Sequence, residues 1–130
     1  MPELARPGWI YFYTEAQMTE WLGRAAILLR RWDEAASQLD ACLAALHTGF
    51  LREAGVALTA LAEVCVEQGD LDRAEELGRQ ALDIAQLFGS ARGVARLGGV
   101  LRRMRRTAPD APATCRLGER LKLAQQHPAL

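Results

Sequence analysis

The chain has 130 residues, of which 50% are hydrophobic and 25% are charged, and its formal net charge is zero. This length and composition suit one folded domain and exclude disorder of the chain as a whole. The balanced charge gives no overall reason to expect nucleic acid or an anionic membrane as a partner.

Neither an export signal nor a membrane segment is expected. The longest uninterrupted apolar run, residues 41–46, is far shorter than the roughly 18 residues that a membrane-spanning helix requires. The first residues combine a Pro-Gly break with acidic side chains, unlike the basic start and apolar core of a signal peptide. Fifteen of the sixteen basic residues are arginine, a bias that we attribute to a GC-rich bacterial genome. We therefore expect a cytoplasmic protein of bacterial origin.

Helical periodicity dominates the chain, and no segment shows the two-residue alternation of a strand, so the predicted fold class is all-α. After an N-terminal arm, residues 1–12, the first hairpin is expected over residues 13–47, with Gly49 as its stop. Its first helix should run from about Tyr13 to Leu29 and face the core with Leu22, Ala25, Ala26 and Leu29. The core-facing residues of its second helix should be Trp32, Ala35, Leu39, Cys42, Leu43 and Leu46.

The second and third hairpins are expected over residues 53–87 and 91–127. Gly69 should end one helix and Asp70 should cap the next, and Gly89 and Ser90 repeat this arrangement. After a proline-containing break, Asp110 can cap the last helix, and Pro112 can stand in its first turn. The expected core residues are Leu58, Leu61, Ala62, Cys65, Leu71, Ala74, Leu77, Gly78, Ala81, Ala85, Val94, Leu97, Gly98, Leu101, Met104, Leu117, Leu121 and Ala124.

The first two hairpins are repeats of one another. Leu22 aligns with Leu61 and Ala35 aligns with Ala74, in each case 39 residues apart. A fixed offset of this size is typical of helical repeat proteins. The aligned segments are "TEWLGRAA" and "WDEAASQLDAC" in the first hairpin, and "LTALAEVC" and "GDLDRAEELGRQA" in the second.

These segments resemble the tetratricopeptide repeat. The resemblance implies about two and a half antiparallel helical hairpins, stacked as a short right-handed solenoid, with a C-terminal capping helix. It also implies that Gly23 and Ala62 let the two helices of a hairpin approach, while Ala35 and Ala74 fill the space where they cross.

A longer run, "GDLDRAEELGRQALDIAQLFGSARGVARLGGVLRRMRR", with "LGERLKLA" after it, is similar to the C-terminal repeat region of bacterial helix-turn-helix transcription regulators. That resemblance implies a helical array that senses or binds a partner. The sequence before Tyr13 is too short for a helix-turn-helix, so DNA binding is not expected through this chain alone.

Catalytic and metal-binding motifs are missing from the sequence. The histidines, His47 and His127, lie far apart, and Cys42, Cys65 and Cys115 form no Cys-x-x-Cys pair, so neither a metal site nor a disulfide framework is predicted. No P-loop or G-x-S-x-G motif is present, and we interpret the glycines of "LGGVL" as helix-packing residues. The adjacent Glu75 and Glu76 point about 100° apart on a helix and do not suggest an acid/base pair. We expect neither an enzyme nor a cofactor.

Charge is segregated between hairpins. Residues 91–106 carry six arginines and no acid, whereas residues 53–83 carry eight acids and two arginines. The arginines can bind nucleic acid or phosphate, pair with the acidic hairpin or an acidic ligand, or remain solvated at a helix C-terminus. The patch has no interleaved aromatic residues to stack on bases, which argues against nucleic acid.

The aromatic run "GWIYFY" leaves two interpretations open. It can cover the first hairpin together with Trp21 and Trp32, or Trp9 and Tyr11 can be exposed and anchor self-association as a homodimer.

In the tetratricopeptide repeat family, the first helix of each hairpin lines a concave groove. The resemblance implies that the groove residues here are Gln17, Glu20, Arg24, Thr59, Glu63, Arg92, Arg102 and Arg103. Their mixed charges suit an extended peptide or a partner helix. We predict a non-catalytic protein- or peptide-binding module, the sensing or dimerising part of a transcription-regulatory system. A structural homo-oligomerisation module and a small-metabolite sensor remain as alternatives.

Overall fold

The computed structural model describes residues 8–46 and 50–126, and this part of the chain forms six α-helices and no strand. The helices are α1 (Gly8–Leu28), α2 (Trp32–Ala45), α3 (Leu51–Glu67), α4 (Leu71–Leu87), α5 (Ala91–Thr107) and α6 (Pro112–Gln126). Contacts between α1 and α2, between α3 and α4 and between α5 and α6 form three successive hairpins. The predicted all-α fold is confirmed.

Successive hairpins stack on one another through the middle one. Helix α3 contacts α1, α2 and α5, and α4 contacts both α5 and α6. One large hydrophobic cluster extends through all three hairpins, and its largest fully buried side chains include Leu39, Leu61, Leu97, Met104 and Leu117. The right-handed curvature of the stack stays a prediction.

The first helix begins at Gly8 rather than near Tyr13, so residues 8–12 are helical and do not belong to an arm. Residues 9–13 contain neither proline nor glycine. Their aromatic and β-branched side chains cost a helix only a few tenths of a kcal/mol each, which an adjoining long helix tolerates. His47, Gly49 and His127 lie outside the described residues.

The predicted stop-and-cap turns are confirmed. Gly69 and Gly89 have φ angles of +81° and +60°, which glycine adopts without strain. The Asp70 side chain accepts a hydrogen bond from the Arg73 N–H at 3.2 Å, and the Ser90 hydroxyl accepts one from the Gly93 N–H at 2.9 Å. The last helix begins at Pro112 as expected, although Ala111, not Asp110, directly precedes it.

The first hairpin makes the same turn with a different residue. Arg30 stands 39 residues before Gly69 and has a φ of 58°. The Arg31 N–H donates to the Ala26 carbonyl at 2.9 Å, just as the Asp70 N–H donates to the Cys65 carbonyl at 2.9 Å. The repeat therefore extends to the backbone geometry of the turn.

Close helix approach is confirmed at Gly23. A Cβ atom there would lie 2.9 Å from Cγ of Leu39 and 3.6 Å from the Ala35 carbonyl oxygen, so only glycine fits this crossing. Ala35, Ala62 and Ala74 are fully buried, as the repeat predicts.

The interpretation of "LGGVL" as a helix-packing pair is wrong. A Cβ on Gly98 or Gly99 would come near only the guanidinium group of Arg102, in the same helix. Neither glycine is needed for contact with another helix, because the contact face of α5 is made by Leu97, Val100, Leu101 and Met104.

The predicted core face is right in the middle of the stack and wrong in α1. All four core residues predicted in α3 are buried, and so are those of α4 except the half-buried Leu71. Of the four core residues predicted for the first helix, only Ala26 is buried, because Leu22, Ala25 and Leu29 lie on a side of the helix that no other described element covers. The predicted core residues of the other helices that are only half-buried are Trp32, Leu43, Leu46, Val94 and Gly98.

The three cysteines all lie in described helices, α2, α3 and α6. Cys42 and Cys65 are buried and Cys115 is exposed, all with free thiols. Burial raises the pKa of both buried thiols, which disfavours the reactive thiolate. None of the described helices is both long enough and apolar enough to cross a bilayer.

Candidate functional site

Helices α1, α3 and α5 form one surface, because α3 contacts both of the others. Two adjoining cavities of about 420 and 430 Å³ lie along it and share Val56, Thr59 and Arg96. We call this surface the odd-helix groove. Beside α1, the further lining residues are Arg24, Ile27, Leu28, Ala60 and Glu63. Beside α5, α4 contributes to the wall as well, and the further lining residues are Arg52, Gly55, Ala81, Ile84, Ala85, Phe88, Ser90, Arg92 and Gly93.

Arginines dominate the charge of the groove. Arg24 forms an ion pair of 3.0 Å with Glu20 in the same helix. Within the described residues, no carboxylate lies within ion-pair distance of Arg52, Arg92 or Arg96. The first turn of α5, capped by Ser90, also forms part of the wall and adds the positive end of a helix dipole. This end of the groove favours an anionic group.

Phe88 gives the groove an aromatic wall. Its ring lies under the guanidinium group of Arg52, 4.9 Å from centroid to Cζ, which is a cation–π distance. The stacking holds the Arg52 side chain in place and leaves its N–H donors available in the plane of the group. Ile84 and Val56 extend the apolar surface beside the ring.

Glu63 is the carboxylate among the lining residues. Desolvation by burial raises its pKa above the ordinary value near 4.5, and Glu67 adds to this, while Arg103, Arg24 and Arg96 oppose it. The carboxyl group therefore lies between α1, which supplies Arg24, and α5, which supplies the other two arginines.

We expect Glu63→Gln to raise the free energy of unfolding at neutral pH, because the glutamine carries no buried charge. The raised pKa means that the ionised form of Glu63 is less stable in the folded than in the unfolded chain. The contribution of Glu63 to the free energy of unfolding is therefore most favourable below the ordinary pKa near 4.5, and it falls as the pH rises through the raised pKa. The stability gap between variant and wild type should therefore be absent near pH 4 and grow toward pH 7. Urea unfolding measured at several pH values checks this, and a gap that narrows with rising pH would contradict it.

A family model for the tetratricopeptide repeat matches residues 14–86, more than half of the chain. The chain belongs to the tetratricopeptide repeat family. No curated protein and no solved structure matches it. Tetratricopeptide repeats generally mediate protein–protein interactions. The match covers the first two hairpins, so the α5 wall of the groove comes from residues beyond it.

The structure places four of the eight predicted groove residues in the odd-helix groove of this tetratricopeptide repeat protein: Arg24, Thr59, Glu63 and Arg92. Thr59 is only 6% exposed, and its hydroxyl donates to the Gly55 carbonyl at 2.9 Å, so its polar group is occupied within α3.

The other four predicted residues lie elsewhere. Gln17 and Glu20 line a small recess beside Cys42, Leu46 and Glu53. Arg102 lines a separate cleft between α5 and α6, and Arg103 is engaged in an ion pair. Trp9 and Tyr11 have side chains outside those that the structure describes.

Three charged or aromatic groove residues are missing from the sequence prediction: Arg52, Phe88 and Arg96. Arg96 follows Arg92 by one helical turn, so the i, i+4 spacing in α5 is a signal that points to it. Arg52 lies in the first turn of α3, and Phe88 directly follows the last residue of α4, so neither belongs to the middle of a helix, where the periodic pattern is read.

Ion pairs join successive repeats of the stack. Arg73 bonds Asp40 at 3.0 Å, Arg103 bonds Glu67 at 2.8 Å, and Arg116 bonds Glu75 at 2.8 Å through Nη2 and at 2.9 Å through Nε. Pairing with the acidic hairpin is therefore the correct interpretation for Arg103. Glu75 likewise forms an ion pair between repeats, with Arg116, whereas Glu76 pairs with Arg79 on its own helix.

The α5–α6 cleft has a volume of about 590 Å³ and is lined by Arg102, Arg105 and Lys122 as well as Glu119. The buried Thr114 hydroxyl nearby has no hydrogen-bond partner among the residues that the structure describes. In the described ranges, no three residues of the His, Cys, Asp and Glu types come together as a metal ion would require.

Proposed function

We propose that this tetratricopeptide repeat protein is a non-catalytic module that binds an acidic, extended segment of a partner protein in the odd-helix groove. The observation that carries the proposal is the position of Arg52, Arg92 and Arg96, which line one cavity and form no ion pair with a described carboxylate. Three cations gathered in this way repel one another and attract an anionic ligand.

The shape of the groove favours a chain over a compact ligand. The two cavities adjoin and extend from α1 to α5, so an occupant that fills both must be elongated. In an extended peptide, alternate side chains point the same way. Acidic side chains can then bond the arginines while apolar ones contact Phe88, Ile84 and Val56.

We expect Arg92→Ala/Arg96→Ala to weaken the binding of an acidic peptide about 10- to 100-fold, because charge-assisted hydrogen bonds contribute roughly 1–3 kcal/mol. The probe is a fluorescein-labelled ten-residue peptide of alternating Glu and Leu, followed by fluorescence anisotropy. Affinity should also fall as salt is raised, because the groove arginines are exposed to screening.

Two controls make this experiment decisive. Arg106→Ala removes an exposed arginine from the same helix outside the lining residues, and it should bind like wild type. A matched peptide of alternating Lys and Leu should not bind. Equal affinity for both peptides, or equal losses in both variants, would overturn the proposed function.

We further propose that this binding is the sensing step of a transcription-regulatory system. The proposal is supported by the resemblance of the run that begins at Gly69 to the repeat region of transcription regulators. Affinity purification from the cells of origin should recover a transcription regulator with the wild type and lose it with Arg92→Ala/Arg96→Ala. Recovery of unrelated proteins alone would contradict the regulatory role.

A further inference from the structure

Helix α1 carries an apolar stripe that no described part of the chain covers. The exposed fractions are 58% for Met18, 62% for Trp21, 50% for Leu22, 85% for Leu28 and 63% for Leu29. With the exposed Ala25, these residues follow one another at intervals of three and four, so they lie on one face of α1 and the turn after it. We call these six residues the α1 stripe.

The repeat alignment allows the exposed α1 stripe to be compared with the equivalent residues of α3. Thirty-nine residues after Met18, Leu22 and Ala25 stand Ala57, Leu61 and Val64, and all three are fully buried. Among the described helices, α3 contacts α1, α2, α4 and α5, whereas α1 contacts only α2 and α3. The α1 stripe therefore has the composition of a helix contact without the contacting helix, and leaving it in water is unfavourable.

We infer that the α1 stripe binds the α1 stripe of a second copy of this chain, with the two helices antiparallel. About a two-fold axis near residue 23, Trp21 of one copy faces Ala25 of the other, and Met18 faces Leu28. Each large side chain then meets a smaller or flexible one, as close packing of two helices requires. A parallel pair would set Trp21 against Trp21 and leave Ala25 against Ala25.

Charge at the ends of the stripe also favours the antiparallel arrangement. Glu15 flanks one end, and Arg30 and Arg31 follow the other. Glu15 and Arg30 form no ion pair in the described chain, while Arg31 makes an exposed contact of 3.6 Å with Glu34. An antiparallel pair brings Glu15 of each copy beside the two arginines of the other, whereas a parallel pair juxtaposes like charges.

The inferred dimer goes beyond the proposed peptide binding. The arginines Arg52, Arg92 and Arg96 are not part of the stripe, and Leu28 is shared between the stripe and the groove. A single helix face is small beside the roughly 1,200–2,000 Å² that stable complexes bury, so we expect a dissociation constant in the micromolar range.

Sedimentation equilibrium of the purified chain between about 1 and 200 µM tests the inference, since this range spans a micromolar dissociation constant. Wild type should shift from monomer to dimer, and Leu22→Glu should stay monomeric with an unchanged circular dichroism spectrum. The control is Leu123→Glu, which places the same charge at a site of 55% exposure on α6 and should dimerise like wild type. A wild type that stays monomeric over the whole concentration range would overturn the inference. A segment of another protein would then be the remaining candidate for covering the α1 stripe.

A charge exchange tests the antiparallel arrangement. Glu15→Arg should weaken the dimer about tenfold, and adding Arg30→Glu/Arg31→Glu to the same chain should restore it. If the combined variant dimerises no better than Glu15→Arg, the antiparallel pairing is wrong. Arg92→Ala/Arg96→Ala should remain dimeric, so the failure of peptide binding and the failure of dimerisation are separately observable.

Discussion

Replacing Leu61 by alanine is expected to lower the free energy of unfolding by about 2–5 kcal/mol. Leu61 is fully buried in the middle hairpin and belongs to the cluster that joins all three hairpins. Truncation removes its contacts and leaves a cavity that the surrounding helices fill only partly. Because small domains have a total stability of roughly 5–15 kcal/mol, this change removes a large share of it. Urea unfolding followed by tryptophan fluorescence measures the loss.

The matched control is Leu22→Ala, the same substitution one repeat earlier. Leu22 is 50% exposed, so its truncation should cost the monomer less than about 1 kcal/mol. The comparison is made at a protein concentration below the dissociation constant of the inferred dimer, so that dimerisation does not contribute. Equal losses at the two sites would show that Leu22 is covered within the monomer.

The sequence is sufficient to predict the core of the middle hairpin. Helices α3 and α4 have neighbours on both sides, so an apolar residue at helical spacing there finds a helix to pack on. Leu58, Leu61, Ala74 and Ala81 are buried for this reason. The turns were equally predictable, because their physical requirements are local. The backbone conformation at Gly69 and Gly89 favours glycine, and the helix starts after Asp70 and Ser90 favour a capping side chain at those positions.

Helix α1 shows why the same pattern fails elsewhere. Periodicity identifies which face of a helix is apolar, but it does not tell whether another element covers that face. Leu22 and Leu29 continue the helical periodicity of the first helix and nevertheless remain exposed in the described chain. Whether the apolar face of α1 is buried depends on the position of the neighbouring helices, and the periodicity of α1 itself does not contain that information.

The groove was only half predictable for a related reason. Arg92 follows from the helical face on which it lies, but Arg103 is drawn into a bond of 2.8 Å with Glu67, 36 residues away in sequence. Arg52 and Phe88 meet because a helix start and a helix end come together in space. Such pairings depend on the stacking of hairpins, which no local pattern encodes.

A second large effect is expected from Ala74→Leu, which enlarges a side chain with no exposed surface. Ala74 is the repeat equivalent of Ala35, whose carbonyl oxygen lies 3.6 Å from the place of a Cβ on Gly23. Two helices that cross this closely leave no room for three further carbon atoms. We expect a loss of about 3 kcal/mol or more, at the upper end of the range for overpacked cores.

Thermal unfolding by circular dichroism, together with peptide anisotropy, distinguishes a scaffold residue from a binding residue. As a control, Ala41→Leu adds the same atoms at an exposed position of α2 and should change stability by less than about 0.5 kcal/mol. Ala74→Leu should unfold at a lower temperature than wild type and lose peptide binding over that same transition, because the groove exists only while α4 holds α3 in place. A variant that keeps its unfolding transition but loses the peptide would instead assign Ala74 to the binding surface and would contradict the repeat alignment.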